Sequence, residues 1–224
     1  MKTVVIISAN AEWNGVVPLF PAAKIERYPY GECFQATLNE LPITFFHTGW
    51  GKTSSAAALQ YIIDKYEPEL VINLGTCGGF AGVVNQGDLI LVEQTFMYDI
   101  VELMSDLDIS DYYASTLDLS WLAEPEPFPT RRGIIASADS DLPPHKISFL
   151  KSNGAIVADW ESAALAWVAR KNNTRLLILR MVSDLVSEEG GEVYNNIEIF
   201  NERSKTIMQQ LITQLPEWLK IVKA

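Results

Sequence analysis

The sequence has few of the residues from which metal centres, disulfide frameworks and nucleic-acid-binding faces are built. Among 224 residues there are two cysteines, Cys33 and Cys77, and two histidines, His47 and His145. Two thiols make no disulfide framework, and these four residues lack the spacing of a zinc site, so no metal is expected. Neither histidine accompanies a nucleophile-elbow serine, which argues against a Ser-His-Asp hydrolase. Lys and Arg number 17 against 28 Asp and Glu, a formal net charge of −11, and no window is strongly basic. Proteins that bind a phosphate backbone gain affinity by neutralising it with clustered cations, so nucleic acid is not an expected partner. The apolar runs fall well short of the ~20 residues that span a bilayer. The start MKTVVIIS has one lysine ahead of a short apolar run, which is no secretory signal. The expectation is a soluble, cytoplasmic protein with reduced thiols and no membrane association.

What is present is an alternation of apolar strands and amphipathic helices. TVVIIS (3–8), ELVINLG (69–75) and TRLLILRMVSD (174–184) are apolar runs, the pattern of strands buried on both faces of a parallel sheet. CFQATL (33–38) and PITFFHTG (42–49) read as a hairpin, and GDLILVEQTF (87–96), RGIIASADSD (132–141) and AIVAD (155–159) as further strands. KTSSAAALQYIIDKY (52–66), ESAALAWVARKNN (161–173) and IEIFNERSKTIMQQLITQL (197–215) have helical spacing. PPHKISFLKSNG (143–154) reads as a short helix with Pro in its first turn and Gly at its end. Residues 99–130, rich in Asp, Ser and Pro, read as a long excursion holding one helical turn. No repeat or linker divides the chain. The expectation is therefore a single α/β domain over residues 1–224, a mostly parallel sheet wrapped by helices. Its size suffices to bury roughly 70–75% of the surface of the unfolded chain.

In open α/β sheets ligands sit beyond the carboxyl ends of the strands, so the polar residues that follow each apolar run are the candidates. They are Asn10 and Glu12, Gly49 to Gly51, the cluster Gly75-Thr76-Cys77-Gly78-Gly79, Asp139 and Asp141, Asp159 to Glu161, and Ser183 with Asp184. Each has a plainer reading as well. The run GTCGGF is not GxGxxG: it is either a tight turn or a place where backbone N–H groups such as that of Gly78 approach a ligand, with the Thr76 hydroxyl as a further donor. Glu12 is either a solvated acid at a helix start or a site carboxylate. Asp184 either caps the next segment or faces a pocket, and Arg180, inside an apolar strand, reads as half of a buried ion pair.

Taken together, IISANAE, HTGWGKTSSAAAL, VINLGTCGGFAG followed by QGDLILVE, VADWESAALAWVA and LRMVSD resemble, in order and spacing, the purine nucleoside phosphorylase and uridine phosphorylase superfamily. Within it they are most similar to the 5′-methylthioadenosine/S-adenosylhomocysteine nucleosidase branch. The resemblance covers nearly the whole chain, residues 99–130 being least alike. It implies a three-layer α/β/α sandwich with a mixed, partly barrel-like central sheet, the nucleoside phosphorylase fold, assembled as dimers or hexamers. It implies a nucleoside as the small-molecule partner and no cofactor. It implies that Asp184 protonates N7 of a departing adenine with Ser183 in support, that Glu12 activates the attacking water, and that Glu161 holds the ribose hydroxyls. Thr76 falls where the family has a Ser or Thr near the water or phosphate.

The chemistry suits those assignments. N-glycosidic cleavage passes through an oxocarbenium-like cation, which carboxylates stabilise. For Asp184 to donate a proton near neutral pH its pKa must rise from ~3.9 to about 6–7, a cost of roughly 3–4 kcal/mol that burial supplies. Glu12 is expected to stay ionised. Superfamily phosphorylases bring arginines to the phosphate from the first loop and from just before the Gly cluster. Here ANAEWNGVV has none and Asn73 stands at the second place, so water is the expected nucleophile. The function expected is a purine nucleoside N-ribohydrolase. Its rivals are a phosphorylase with phosphate ligands from a neighbouring subunit, and a non-catalytic nucleoside-binding protein. Departures from the family pattern lie at Trp50, at Trp160 and in the loop ADSDL. The two indoles stack on base or ribose, or narrow the 5′ subsite. Trp13, Val16, Val17, Leu19 and Phe20 either form a homodimer face, the expected assembly, or belong to an internal helix.

Overall fold

Thr3–Ile7 (β1) is buried at every position, and its side chains divide between two separate apolar clusters: Val5 and Ile7 enter one, Val4 and Ile6 the other. That division is the period-two alternation of a strand with both faces covered, and it makes the architecture three layers deep. The computed structural model describes residues 1–104 and 109–223, so part of the expected excursion, residues 105–108, lies outside the described residues. After β1 come α1 (Asn10–Val16), β2 (Glu26–Tyr28), β3 (Gly31–Leu38), β4 (Leu41–His47), α2 (Gly51–Tyr66), β5 (Leu70–Phe80) and β6 (Leu89–Met97). The second half adds α3 (Ser110–Tyr113), β7 (Ser115–Thr116), β8 (Arg131–Ser137), α4 (Ile147–Ser152), β9 (Ala155–Asp159), α5 (Ser162–Lys171), β10 (Leu176–Ser187), β11 (Gly190–Gly191) and α6 (Ile197–Lys220).

One cluster packs Trp13 and Val16 of α1 and Ile207, Met208, Leu211 and Leu215 of α6 under the sheet; the other packs Leu59 and Ile62 of α2 and Leu165 and Val168 of α5 over it. The sheet is mixed and partly closed. Strand β5 pairs with β1, β9 and β10, and β10 pairs in turn with β6, so that β5, β10, β6, β8 and β9 form a ring from which β1, β4, β3 and β2 extend as an open arm. The expected three-layer α/β/α sandwich with a partly barrel-like sheet is the fold found.

The stretch after β1 is helix α1, and Glu12 reaches back to the Ala9 N–H at 3.3 Å at its start. Two local expectations are corrected. The run GTCGGF is not a loop: β5 continues through it, with Gly78 and Gly79 facing β9 on one side and β10 on the other. A Cβ on Gly79 would stand 2.6 Å from the side chains of Val182 and Val84, so the glycine lets the ring close tightly. Helix α6 runs past Pro216, whose missing N–H is tolerated because Leu215, Trp218 and Leu219 are buried on the sheet.

Trp13 and Val16 are core residues, at 3% and 0% exposure, with Val17 and Phe20 packed against the same cluster; only Leu19 stands well out. Trp13 and Val16 thus fit the internal-helix reading of this segment.

Candidate active site

The parallel neighbours β5 and β10 set Arg180 directly across from Gly75. A Cβ on Gly75 would lie 1.9 Å from Arg180 Nη1 and 2.8 Å from Glu12 Oε1, so the glycine makes room for a guanidinium and a carboxylate to meet over one backbone position. Glu12, 3% exposed, is held there by Thr76, whose N–H donates to Oε1 at 2.5 Å and whose hydroxyl donates at 2.8 Å. Burial raises its pKa, against the opposing Arg180 charge and the hydrogen bonds from Thr76 and Ala9. Desolvation outweighs its partners and makes Glu12 a stronger base than a solvated glutamate.

Arg180 is wholly enclosed. Its Nη2 lies 2.8 Å from Asp159 Oδ2 and donates to Asn73 Oδ1 at 2.7 Å, while Nε donates to Ser162 Oγ at 3.1 Å. The expected buried ion pair is present and its partner is Asp159. Asp159 also accepts from Ser137 Oγ at 2.5 Å and from the Ser162 N–H and hydroxyl. It caps α5 from two residues upstream of the cap position, which Glu161 occupies without using its own side chain.

Glu161 is thereby free to point away from α5, and Oε1 accepts the Gly51 N–H at 3.0 Å. The next N–H of α2, that of Lys52, goes to Asp139 Oδ1 at 2.6 Å, so two carboxylates from distant segments satisfy the start of α2. Burial and then the Asp159 charge push the pKa of Glu161 up to about 8.

Asp184 lies further along β10, opposite Gly78 of β5. Between Val182 and Asp184 the β5–β10 register slips by one residue, leaving Ser183 as the extra residue of a bulge. The Ser183 hydroxyl donates to Asp184 Oδ1 at 2.7 Å and is 3.2 Å from the Cys77 carbonyl, while Arg203 Nη1 donates to the Ser183 carbonyl at 2.9 Å. Burial raises the pKa of Asp184 over the opposing effects of Ser183 and Arg203, which is the direction a proton donor needs.

These groups converge on Thr76 and Cys77. Burial dominates the raised pKa of the Cys77 thiol, and after it the charges of Arg180, Asp159, Asp184 and Glu12 all act there. Glu12, Thr76, Glu161, Ser183 and Asp184 are thus brought together around one stretch of β5, with Gly78 opposite Asp184 in the register. The two indoles are placed differently. Trp160 is half-buried next to Glu161, and Trp50, just before the start of α2, is 61% exposed; neither makes a ring contact among the described residues. Sequence reasoning had no signal for Asp99, which pairs with Lys52, or for Arg203 and Tyr194, because they reach the site from the segment after β6, from α6 and from the stretch between β11 and α6. No group of three or more His, Cys, Asp or Glu among the described residues is arranged to hold a metal ion, and no helix there is long and apolar enough to cross a membrane.

The profile of the Phosphorylase superfamily matches residues 3–215. A 5′-methylthioadenosine/S-adenosylhomocysteine nucleosidase of Maridesulfovibrio salexigens is 25% identical over 205 residues, 85% of this chain and 88% of that protein. Among solved structures, the Streptococcus pneumoniae MTA/SAH nucleosidase in complex with 8-aminoadenine superposes with a TM-score of 0.80 at 22% identity, covering 99% and 100% of the two chains. A futalosine hydrolase mutant of Helicobacter pylori reaches 0.79 at 18% identity over 98% and 99%.

Proposed function

Because the chain belongs to the Phosphorylase superfamily, we propose that it is a nucleosidase that hydrolyses the N-glycosidic bond of a 5′-substituted adenine nucleoside, as the names of its relatives state for them. The observation that carries this reading is the pairing of two buried acids whose partners differ. Asp184 has one neutral donor and a raised pKa, suited to delivering a proton to N7 of the base. Glu12 is braced by two donors of Thr76 and by the Arg180 charge, suited to holding and deprotonating water. Glu161 takes the ribose hydroxyls, exchanging its bond to the Gly51 N–H for them. Thr76 and Ser183 orient the two acids, the Gly78 backbone borders the sugar and base, and Trp160 and Trp50 border the 5′ side.

Water is favoured over phosphate as the nucleophile. The guanidinium nearest Glu12, that of Arg180, is committed to Asp159, Asn73 and Ser162, and phosphate would have to displace a buried ion pair to reach it.

A homodimer in the cytoplasm is part of this proposal. Val101, Leu103 and Met104 are 67%, 88% and 94% exposed, and they follow Asp99, whose ion pair with Lys52 holds their segment beside Trp50. That apolar margin at the site mouth suits burial against a second copy. The buried free thiols Cys33 and Cys77 suit a reducing compartment.

The test is chromatography of methylthioadenosine and S-adenosylhomocysteine incubated with purified protein, with and without phosphate. Release of free adenine at a phosphate-independent rate is expected, together with its loss in Asp184→Asn. Intact nucleoside throughout, or turnover only with phosphate, would overturn the proposal.

A further inference from the structure

The bulge of β10 takes Ser183 out of register with β5, and its carbonyl is held from another element: Arg203 Nη1 donates to it at 2.9 Å. The same nitrogen donates to Glu192 Oε2 at 2.9 Å. Three segments thus meet one residue from Asp184: β10 at its bulge, the stretch after β11, and the second turn of α6. Glu192 is brought there by backbone pairing. Strand β11 runs antiparallel to the end of β10, with Gly191 across from Val186, and the Glu192 N–H donates at 3.3 Å to the carbonyl of Leu185, the residue after Asp184. Gly191 leaves room for the ring of Tyr194, which a Cβ would meet at 2.5 Å, and the Tyr194 hydroxyl donates to the Leu142 carbonyl at 2.6 Å, so the stretch carrying Glu192 is pinned. The Arg203 and Glu192 side chains are 27% and 47% exposed, whereas Ser183 and Asp184 are buried, so the ion pair can be altered without opening the core.

A bulge re-aims the side chains beside it. The Ser183 hydroxyl donates to Asp184 Oδ1 at 2.7 Å, so whatever fixes the Ser183 backbone also fixes the direction of the Asp184 carboxyl. A guanidinium supplies the donor that the Ser183 carbonyl takes, but its charge favours the ionised form of a nearby acid, the wrong state for a proton donor. A carboxylate on the same nitrogen offsets that charge. We propose that Arg203 is a positioning residue, which holds the Ser183 carbonyl so that the bulge keeps Asp184 directed at the departing base, and that Glu192 neutralises Arg203 so that Asp184 keeps its proton until the base takes it. This rests on the nucleosidase reading above, in which Asp184 is the proton donor. The forces on Asp184 agree in sign: burial raises its pKa most, the Ser183 bond and then the Arg203 charge lower it, and the charges of Glu192 and of Asp141 in the loop after β8 raise it. Tyr194 and the Cys77 thiol of β5 also feel the Asp184 charge, and burial keeps both of them protonated.

The experiment titrates the Asp184 carboxyl carbon by NMR in aspartate-labelled protein, its signal assigned by its absence in Asp184→Asn, and records the pH profile of kcat for methylthioadenosine. Wild type is compared with Glu192→Gln, Arg203→Met and Arg203→Lys. Glu192→Gln leaves the guanidinium unopposed, so the Asp184 titration and the basic limb of the kcat profile should both move to lower pH, by about half a pH unit or more. Arg203→Met removes the charge and the bond together: the titration should move to higher pH, while kcat falls about tenfold or more with KM little changed. Only one nitrogen of Arg203 makes these contacts, so Arg203→Lys, which keeps a cation and a donor, should recover part of kcat and bring the titration back toward the wild type. A titration that moves the same way in Glu192→Gln and Arg203→Met, or in neither, would overturn the proposal, as would an unchanged kcat in Arg203→Met. The NMR titration needs no substrate. Opposite shifts support control of Asp184 by Arg203 and Glu192 even if no nucleoside is cleaved, an outcome that would count against the nucleosidase reading alone.

Discussion

Thr76 donates twice to the same oxygen, Glu12 Oε1, from its backbone N–H at 2.5 Å and from its hydroxyl at 2.8 Å. The pair joins a helix start to the middle of a strand and, together with the Arg180 charge, favours the charged form of a carboxyl that burial otherwise disfavours.

Replacing Thr76 by Val removes the hydroxyl and keeps the N–H. A bond to the charged form lowers a pKa, so its loss raises that of Glu12 further, and the acid limb of the kcat/KM profile should move to higher pH. The variant should lose about 0.5–1.5 kcal/mol of stability. A limb that stays in place would assign it to another group.

Asp184→Asn should lower kcat by about 10²–10⁴ while leaving nucleoside binding measurable. Its stability at pH 8 should equal or exceed that of the wild type, because burial raises the pKa of Asp184 and the charged form is the one the fold disfavours. Denaturant melts at pH 8 check this; a clearly less stable variant would mean that the ionised Asp184 gains more from Arg203 than it loses to burial.

Glu161 gives a pH signature of its own. Its pKa is pushed from 4.5 to about 8, so between those values the folded state binds more protons than the unfolded chain and stability falls as pH rises. Urea titrations at pH 5 and pH 8 should show this slope, and Glu161→Gln should flatten it while raising KM through loss of the ribose contact.

Asp159→Asn should cost about 3–5 kcal/mol, since it leaves Arg180 buried beside an amide. Combining it with Arg180→Met should recover part of that loss, and a double-mutant cycle measures the coupling. Strict additivity of the two single variants would show that the pair contributes no interaction of its own.

Gly75→Ala places a methyl group 1.9 Å from Arg180 Nη1 and 2.8 Å from Glu12 Oε1. The expected outcome is overpacking of about 1–3 kcal/mol together with a fall in kcat larger than the change in KM. Wild-type kinetics in this variant would show that the strand yields and the two side chains keep their places.

The strands and helices were legible because their signals are local. TVVIIS and TRLLILRMV could only be strands covered on both faces, and the helical spacing of residues 161–173 was plain; β1, β10 and α5 follow them closely. The run GTCGGF misled, since glycines that end a strand and glycines that let three strands crowd together have the same local sequence. Trp13 and Val16 left two readings open for a related reason: an apolar face does not say whether it meets a partner molecule or helix α6 of its own chain.

The sequence by itself determined the alternation of elements, a sheet wrapped by helices and the acids Glu12, Glu161 and Asp184 as residues following strands, because backbone propensity and hydrophobic period act over a few residues; the three-layer class came from the family resemblance. Only the tertiary structure decided what each acid does. Asp159 and Glu161 are two positions apart and both carboxylic acids, yet one is bound to Arg180 and the start of α5 while the other turns to Gly51 with its pKa pushed up to about 8. Desolvation, the Arg180 charge and the donors of Thr76 and Ser183 come from segments tens of residues away, so a carboxyl's strength as acid or base is fixed only where the folded chain brings them together.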